Sequence, residues 1–297
     1  MKDLPTIFIF DFDRTIIGDT SIVTSYADFT KFIKYACKSK EIKGDICAKH
    51  IPSVSKMVTA DMIRPGFKEL LAGIKKNFST AELFLYSAGT REYVNTYVPI
   101  VEEQIGQGPI FNRPLFSRTE CFIDENNKMS KSISSQLHAI VNVLKSRYKG
   151  LQKKDIDIMK LLKDRILFID DNDVVWDMAN KSIKCPAFNY TQICYLDENL
   201  LRIIYNEPII QKFILNDKWL YLYADSEKDV SGSFDEFKMK FHLFMAHTYQ
   251  MFLAENKKSI QDTFFNKLEK SIRPYANQQR PFTDEHIKTI QKMVDNE

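Results

Sequence analysis

Residues 7–21 read Ile-Phe-Ile-Phe-Asp-Phe-Asp-Arg-Thr-Ile-Ile-Gly-Asp-Thr-Ser. The apolar run Ile7 to Phe10 stops abruptly at Asp11, and Asp13 and Thr15 complete a D-x-D-x-T pattern. A short apolar run of this kind reads as a buried strand. In an open α/β sheet, ligands bind just beyond the carboxyl ends of the strands, so the pattern puts two carboxylates and a hydroxyl in the crevice. Asp11 suits attack on phosphorus. Asp13 suits moving the proton of the leaving oxygen, and Thr15 suits orienting Asp13 and turning the chain. A single aspartate after a strand often only caps a turn. The whole pattern, placed directly behind an N-terminal strand, points to chemistry instead.

Two further apolar runs end in the same manner. Leu83 to Tyr86 is followed by Ser87-Ala88-Gly89-Thr90 and a helix expected over Arg91–Val101. A hydroxyl and backbone N–H groups opening a helix form a phosphate cradle, although serine is equally a common helix N-cap. Ile166 to Ile169 ends in Asp170-Asp171-Asn172-Asp173. Magnesium takes a few carboxylates and several waters, so an acidic strand end beside Asp11 suits that ion. Three strands with polar ends, separated by helical stretches, predict an α/β fold with a parallel sheet flanked by helices.

Between the second and third strands, Pro109, Pro114 and the Asp-Glu-Asn-Asn cluster at 124–127 predict a hairpin over 109–130. Lys128 and Lys131 follow that cluster. A lysine beside a transferring phosphoryl group neutralises its charge, while most lysines are merely solvated. The periodicity predicts helices over Phe67–Lys76, begun by Pro65, and over 133–148, and it makes Trp176 a core residue.

Residues 19–62 carry apolar positions at helical spacing, among them Ile22, Tyr26, Phe29, Ile33 and Ala36, then a lysine-rich stretch. They are expected to form a helical insertion after the first strand, with the part of a small cap over the crevice. From 196 onward helical signals dominate: Glu198–Ile210, Phe234–Ala254, Ile260–Ile272 and His286–Val294. The expected organisation is a core over 1–195 and a helical C-terminal extension over 196–297, which packs on the core or binds a protein partner. The aromatic positions Phe237, Phe241, Phe244, Tyr249 and Phe252 read as core.

Composition narrows the setting. The 297 residues are 44% hydrophobic and 27% charged with net charge +3, ordinary for a globular protein, and nucleic acid is not indicated as a partner. Five cysteines without C-x-x-C spacing point to neither a disulfide framework nor a zinc site. No apolar run reaches membrane-span length, and only six residues precede the first apolar run. The expected location is intracellular, cytoplasmic or nuclear, without membrane association.

These stations together resemble the haloacid-dehalogenase superfamily of aspartyl-phosphate phosphatases. Within it they resemble the branch of RNA polymerase II CTD phosphatases and NLI-interacting-factor-like proteins. The D-x-D-x-T at 11–15 is similar to the superfamily's first motif, and Ser87 stands at the second. Arg64-Pro65-Gly66-Phe67-Lys68-Glu69-Leu70 resembles the branch's R-P-G helix start. Tyr86 to Tyr93 resembles its Y-T-A-G/S-x-x-x-Y segment. Leu115-Phe116-Ser117-Arg118-Thr119-Glu120-Cys121 resembles the hairpin that leads to the catalytic lysine, and Asp170 to Trp176 resembles D-D-x-x-D-V-W. The branch usually has Leu and Glu or Gly where Phe12 and Arg14 stand, and an acidic residue at Ser132.

The resemblance implies a Mg²⁺-dependent phosphatase that passes through an aspartyl phosphate. Asp11 would be the nucleophile, Asp13 the acid and then base, and Lys131, or Lys128 in its place, the charge-neutralising lysine. Thr15, Ser87 and Ala88 would form the substrate site. Mg²⁺ would be held by Asp11, the Asp13 carbonyl and Asp170, with Asp171 close by. The implied substrate is a protein phosphoserine or phosphothreonine. Two alternatives stay open: the same chemistry on a small metabolite or nucleic-acid end, or a catalytically silent member serving as a binding or assembly protein.

Overall fold

The computed structural model describes residues 4–38, 54–106, 108–123, 125, 129–152, 157–172, 177–192, 198–208 and 233–296. Four strands build the central layer of the first compact unit, which comprises 1–18, 63–188 and 260–297. Strands β1 (Thr6–Phe10), β2 (Ala81–Leu85), β5 (Ile166–Asp170) and β6 (Ser182–Lys184) form a parallel sheet in the order β2-β1-β5-β6. A short antiparallel pair, β3 (Phe122–Ile123) with β4 (Met129–Ser130), stands apart. The sequence predicts the parallel sheet flanked by helices and three of its four strands; within the 109–130 stretch read as a hairpin, Phe122–Ile123 and Met129–Ser130 pair. β6 was not legible, because only Ile183 is apolar in its three residues.

The strands are continuous apolar runs because both faces of the sheet are covered. Ile7 and Ile9 share one face with Phe84, Tyr86 and Phe168, and helix α5 (Ile133–Leu144) closes it with Ile133, Leu137, Ile140 and Leu144. Phe8 and Phe10 point the other way, as strand alternation requires. Phe10 meets Phe67 of α3 (Phe67–Asn77) at 5.6 Å between ring centroids, and Phe265 of helix α9 (Phe264–Ile272) at 6.4 Å. Phe8 meets Phe78 at 5.1 Å and Phe282 at 5.4 Å. The helices α4 (Arg91–Ile105) and α6 (Ile158–Leu162) belong to the same unit.

Residues 260–297 are therefore part of the core unit, and the contact pattern does not divide the chain near 195. Their last helix, α10 (Asp284–Asn296), buries Ile287, Ile290 and Val294. At the start of that helix, the fully buried Lys181 donates to Asp164 (3.1 Å) and to the Phe282 carbonyl (3.0 Å) and pairs with Asp284 (2.5 Å). Helical periodicity in 260–297 shows that an apolar stripe exists, but not which surface it covers. Phe282→Ala is expected to cost about 3–5 kcal/mol, as for a fully buried phenylalanine, read as a lower denaturant midpoint at unchanged slope.

The second compact unit comprises 19–62 and 189–259. Its described helices are α1 (Ser21–Lys38), α2 (Val54–Met57), α7 (Glu198–Asn206) and α8 (Phe234–Ser259). The two segments join through Asp19 N to Tyr190 O (2.7 Å) and through Asn256, which accepts from Thr191 N and donates to Thr191 O. On α8, Phe237 and Phe241 are buried as expected, while Tyr249 is 40% exposed. Trp176, Asp173, Lys128 and the 124–127 cluster except Glu125 lie outside the described residues. No described helix is long and apolar enough to cross a membrane.

Candidate active site

The strand order explains the site's position. β1 has β2 on one side and β5 on the other, so successive connections leave it in opposite directions and open a crevice at its carboxyl end. Asp11 follows β1 and donates its N–H to Ile169 O (2.8 Å). Asp170 ends β5, and Ser87 lies two residues beyond β2. The parallel register thus brings three sequence-distant stations to one edge.

Lys131 lies between the two strand ends, in the short stretch joining β4 to α5. Its Nζ donates to Asp170 Oδ2 at 2.7 Å and pairs with Asp11 Oδ1, all three side chains being buried. The rings of Phe168 and Tyr86 lie 5.5 and 6.0 Å from the ammonium, within range of cation–π attraction. Burial alone would lower the lysine's pKa, but Asp11 and Asp170 outweigh it and hold the ammonium charged.

What fixes Lys131 is the start of α5. The N-cap Ser132 accepts from Ser135 N, and Asp177 accepts from Ile133 N (2.7 Å), Ser134 N (3.2 Å) and Ser132 Oγ (2.9 Å). Asp177 thus supplies a carboxylate at a helix N-terminus, where the orphan N–H groups and dipole favour one. Tyr86 adds a hydroxyl that accepts from Ser132 N (3.3 Å) and donates to Glu120 O (2.7 Å). No pattern in the sequence pointed to Asp177, because its partners lie over 40 residues away.

Asp13 is only partly buried. Its Oδ2 accepts from Ser87 Oγ (3.1 Å), and Oδ1 accepts from the Tyr93 hydroxyl. Ser87 Oγ in turn accepts from Gly89 N (2.8 Å). Ser87 does not cap α4; Thr90 does, accepting from Tyr93 N (3.2 Å), which leaves Ser87 to the site. Ala88 is half-buried, and its carbonyl accepts from Nε of the exposed Arg118 (2.8 Å).

Thr15 departs from expectation. Its hydroxyl accepts from Asp171 N (3.1 Å), lies 3.3 Å from Asp171 Oδ1 and 3.6 Å from Cys185 Sγ, and is fully buried. The orientation of Asp13 falls to Ser87 and Tyr93 instead. The reason is Arg14, whose left-handed φ of 55° turns the chain between the two side chains. Tyr93 was legible only as part of a motif; its role needed the first turn of α4 brought against β1.

Oxygen atoms of Asp11, Asp170 and Asp171 all lie within 4.8 Å of one another. Burial, followed by the charge of Asp170, raises the Asp171 carboxyl above its usual range. Burial also raises Asp11, with Asp170 and Asp13 adding to the effect and Lys131 opposing it. Three carboxyl groups thus share one ammonium, and hard carboxylate oxygens are the donors magnesium prefers. The residues fit the ion. Asp13 directs its carboxylate to Ser87 and Tyr93, so its main-chain oxygen is the atom it would offer. Millimolar Mg²⁺ is expected to raise the melting temperature, by about 2.7 kcal/mol of stability at one hundred times Kd, as read by thermal shift with and without chelator. Asp170→Asn should shrink the shift.

The model of the NLI interacting factor-like phosphatase family matches residues 6–207. No curated protein matches the chain. Among solved structures, the RNA polymerase II CTD phosphatase Fcp1 is similar at 15% identity and a TM-score of 0.32, over 88% of this chain and 67% of that one. A fission yeast Fcp1 variant bound to beryllium fluoride is similar at the same identity and TM-score, over 88% and 68%.

Proposed function

Since the chain belongs to the NLI interacting factor-like phosphatase family, we propose that it is a Mg²⁺-dependent phosphatase acting on phosphoserine or phosphothreonine in a protein, through an aspartyl phosphate at Asp11. The observation that carries the reading is the buried Lys131 held between Asp11 and Asp170. That lysine would stand beside an incoming phosphoryl group with its charge fixed.

In the first step an Asp11 carboxylate oxygen attacks phosphorus and the bond to the leaving oxygen breaks. Asp13 gives its proton to that oxygen, so the alcohol leaves neutral. In the second step water attacks the phosphorus of the acyl phosphate, Asp13 takes its proton, and Asp11 is released with inorganic phosphate. Lys131 neutralises the phosphoryl oxygens in both steps. Ser87 Oγ, which donates to Asp13, would turn its proton to a phosphoryl oxygen. Such chemistry is mainly positioning and charge compensation around a loose transition state. A magnesium ion held by Asp11, Asp170, Asp171 and the Asp13 carbonyl would supply further charge neutralisation there.

The exposed Arg118, anchored on Ala88 O and through its own N–H on Gly89 O (2.8 Å), places a cation beside Ser87 and supports an anionic substrate. Retention of Asp11, Asp13, Lys131 and Asp170 speaks against a silent binding protein. The test is hydrolysis of an aryl phosphate, phosphoserine and phosphothreonine peptides and a panel of phosphorylated metabolites, with Mg²⁺ and with chelator. The reading expects Mg²⁺-dependent turnover with kcat/KM highest on peptides. Preference for metabolites would overturn the substrate class, and no turnover on any of them would overturn the activity.

A further inference from the structure

We infer that Asp262 and Arg64 act together as positioning residues for the catalytic loop, so that a segment beyond the family match at 6–207 sets the geometry of the candidate active site. The inference rests on the phosphatase reading for its kinetic consequence and on the geometry alone for its structural one.

Arg64 is 1% exposed, the largest of the fully buried side chains among the described residues. Its Nε and Nη2 donate to the two carboxylate oxygens of Asp262 at 3.0 and 2.7 Å, the planar fork that arginine alone offers a carboxylate. The guanidinium carbon lies 4.8, 5.4 and 5.9 Å from the ring centroids of Phe264, Phe265 and Phe188. A buried charge so placed needs its partner, because losing one member strands the other in a poor solvent.

The other side of Arg64 faces the loop that carries the chemistry. Its Nη1 lies 3.5 Å from the Thr15 carbonyl oxygen, and its backbone N donates to Ile16 O at 2.8 Å. Phe188, which walls the guanidinium, donates its N–H to Arg14 O at 2.7 Å. Three successive loop carbonyls, of Arg14, Thr15 and Ile16, are thus held by Arg64 and its aromatic enclosure. Thr15 then meets Asp171 through its hydroxyl. A path of direct contacts runs from Asp262 through Arg64 and Thr15 to a candidate metal ligand.

Asp262 also accepts from Phe264 N (2.9 Å) at the start of α9. Asp262→Asn keeps an acceptor for that bond and removes the charge and one oxygen from the fork. The experiment compares this variant with the wild-type full chain by amide hydrogen exchange and by Mg²⁺-dependent aryl phosphate hydrolysis. The Ile16 and Ile17 amides are the reporters, since both donate to Phe12 O within the loop. Their exchange is expected to speed up about tenfold, with the β1 amides unchanged. The Mg²⁺ concentration for half-maximal rate should rise several-fold, with KM for the aryl phosphate moving less than about twofold. Faster exchange confined to 260–272, with Ile16 and Ile17 as in the wild type, would overturn the inference. Asp262→Glu, which keeps the charge, should show a smaller change at the same amides and decides the matter should the asparagine variant fail to fold. If the wild type itself turns over no phosphate ester, the proposed function fails while the exchange result still judges the clamp.

Discussion

Asp11→Asn is expected to lower kcat by on the order of 10⁴-fold or more, the scale on which loss of a covalent nucleophile acts, while leaving the protein folded. The substitution keeps the shape at the end of β1 and the backbone bond to Ile169 O. It also removes one of three crowded carboxylates, whose burial and mutual repulsion raise the Asp11 and Asp171 pKa values. The Mg²⁺-free variant should therefore melt at or above the wild-type temperature. A protein that loses its activity while gaining stability carries a strained functional group rather than a structural one. The measurements are turnover of an aryl phosphate, the melting curve, and mass-spectrometric detection of phosphate on residue 11 in acid-quenched wild type. Turnover retained in the pure variant would sink the mechanism.

Lys131→Met should cost about 3–5 kcal/mol of stability near neutral pH, because it leaves buried carboxylates without their cation. The pH dependence has a defined sign. A carboxyl whose folded-state pKa is raised binds its proton more tightly folded than unfolded. Its contribution is fully present below the unfolded value of about 4 and is lost as pH rises through the folded one. Burial raises Asp11 even with the lysine in place, and removing the ammonium raises it further. The deficit of the variant should thus shrink as pH falls towards the unfolded value and widen as pH rises. Added Mg²⁺ should recover part of it at neutral pH. Chemical denaturation at three pH values, with and without Mg²⁺, reads all of this. A deficit independent of both would mean that Lys131 is packed filler. Catalysis should fall about 10²–10³-fold in the folded variant, as for loss of one preorganised charge.

Much of the candidate site was legible because it sits where local rules are strict. An apolar run that stops dead at Asp11, Ser87 or Asp170 has one reading in a parallel sheet, since strands buried on both faces end where the crevice begins. Lys131 was legible as a candidate but not separable from Lys128 by spacing. Lys131 lies buried between two carboxylates, while Lys128 lies outside the described residues. Thr15 shows the opposite case. A single residue at positive φ, Arg14, redirects its side chain from Asp13 to Asp171, and no periodicity reports a one-residue turn.

By itself, the sequence determined three of the four strands of the sheet, their polar ends and the residue types of the chemistry, since these follow from chain-local patterning of apolar and acidic groups. The tertiary structure alone decided which distant groups meet. It put Asp177 on the N-terminus of α5, Tyr93 on Asp13, and Asp262 on Arg64. It also placed 260–297 in the core unit and 189–259 with 19–62, against the simple division near 195. The physical reason is that an amphipathic helix states how much apolar surface it must bury, whereas the surface that buries it depends on shape and on paired charges drawn from the whole chain.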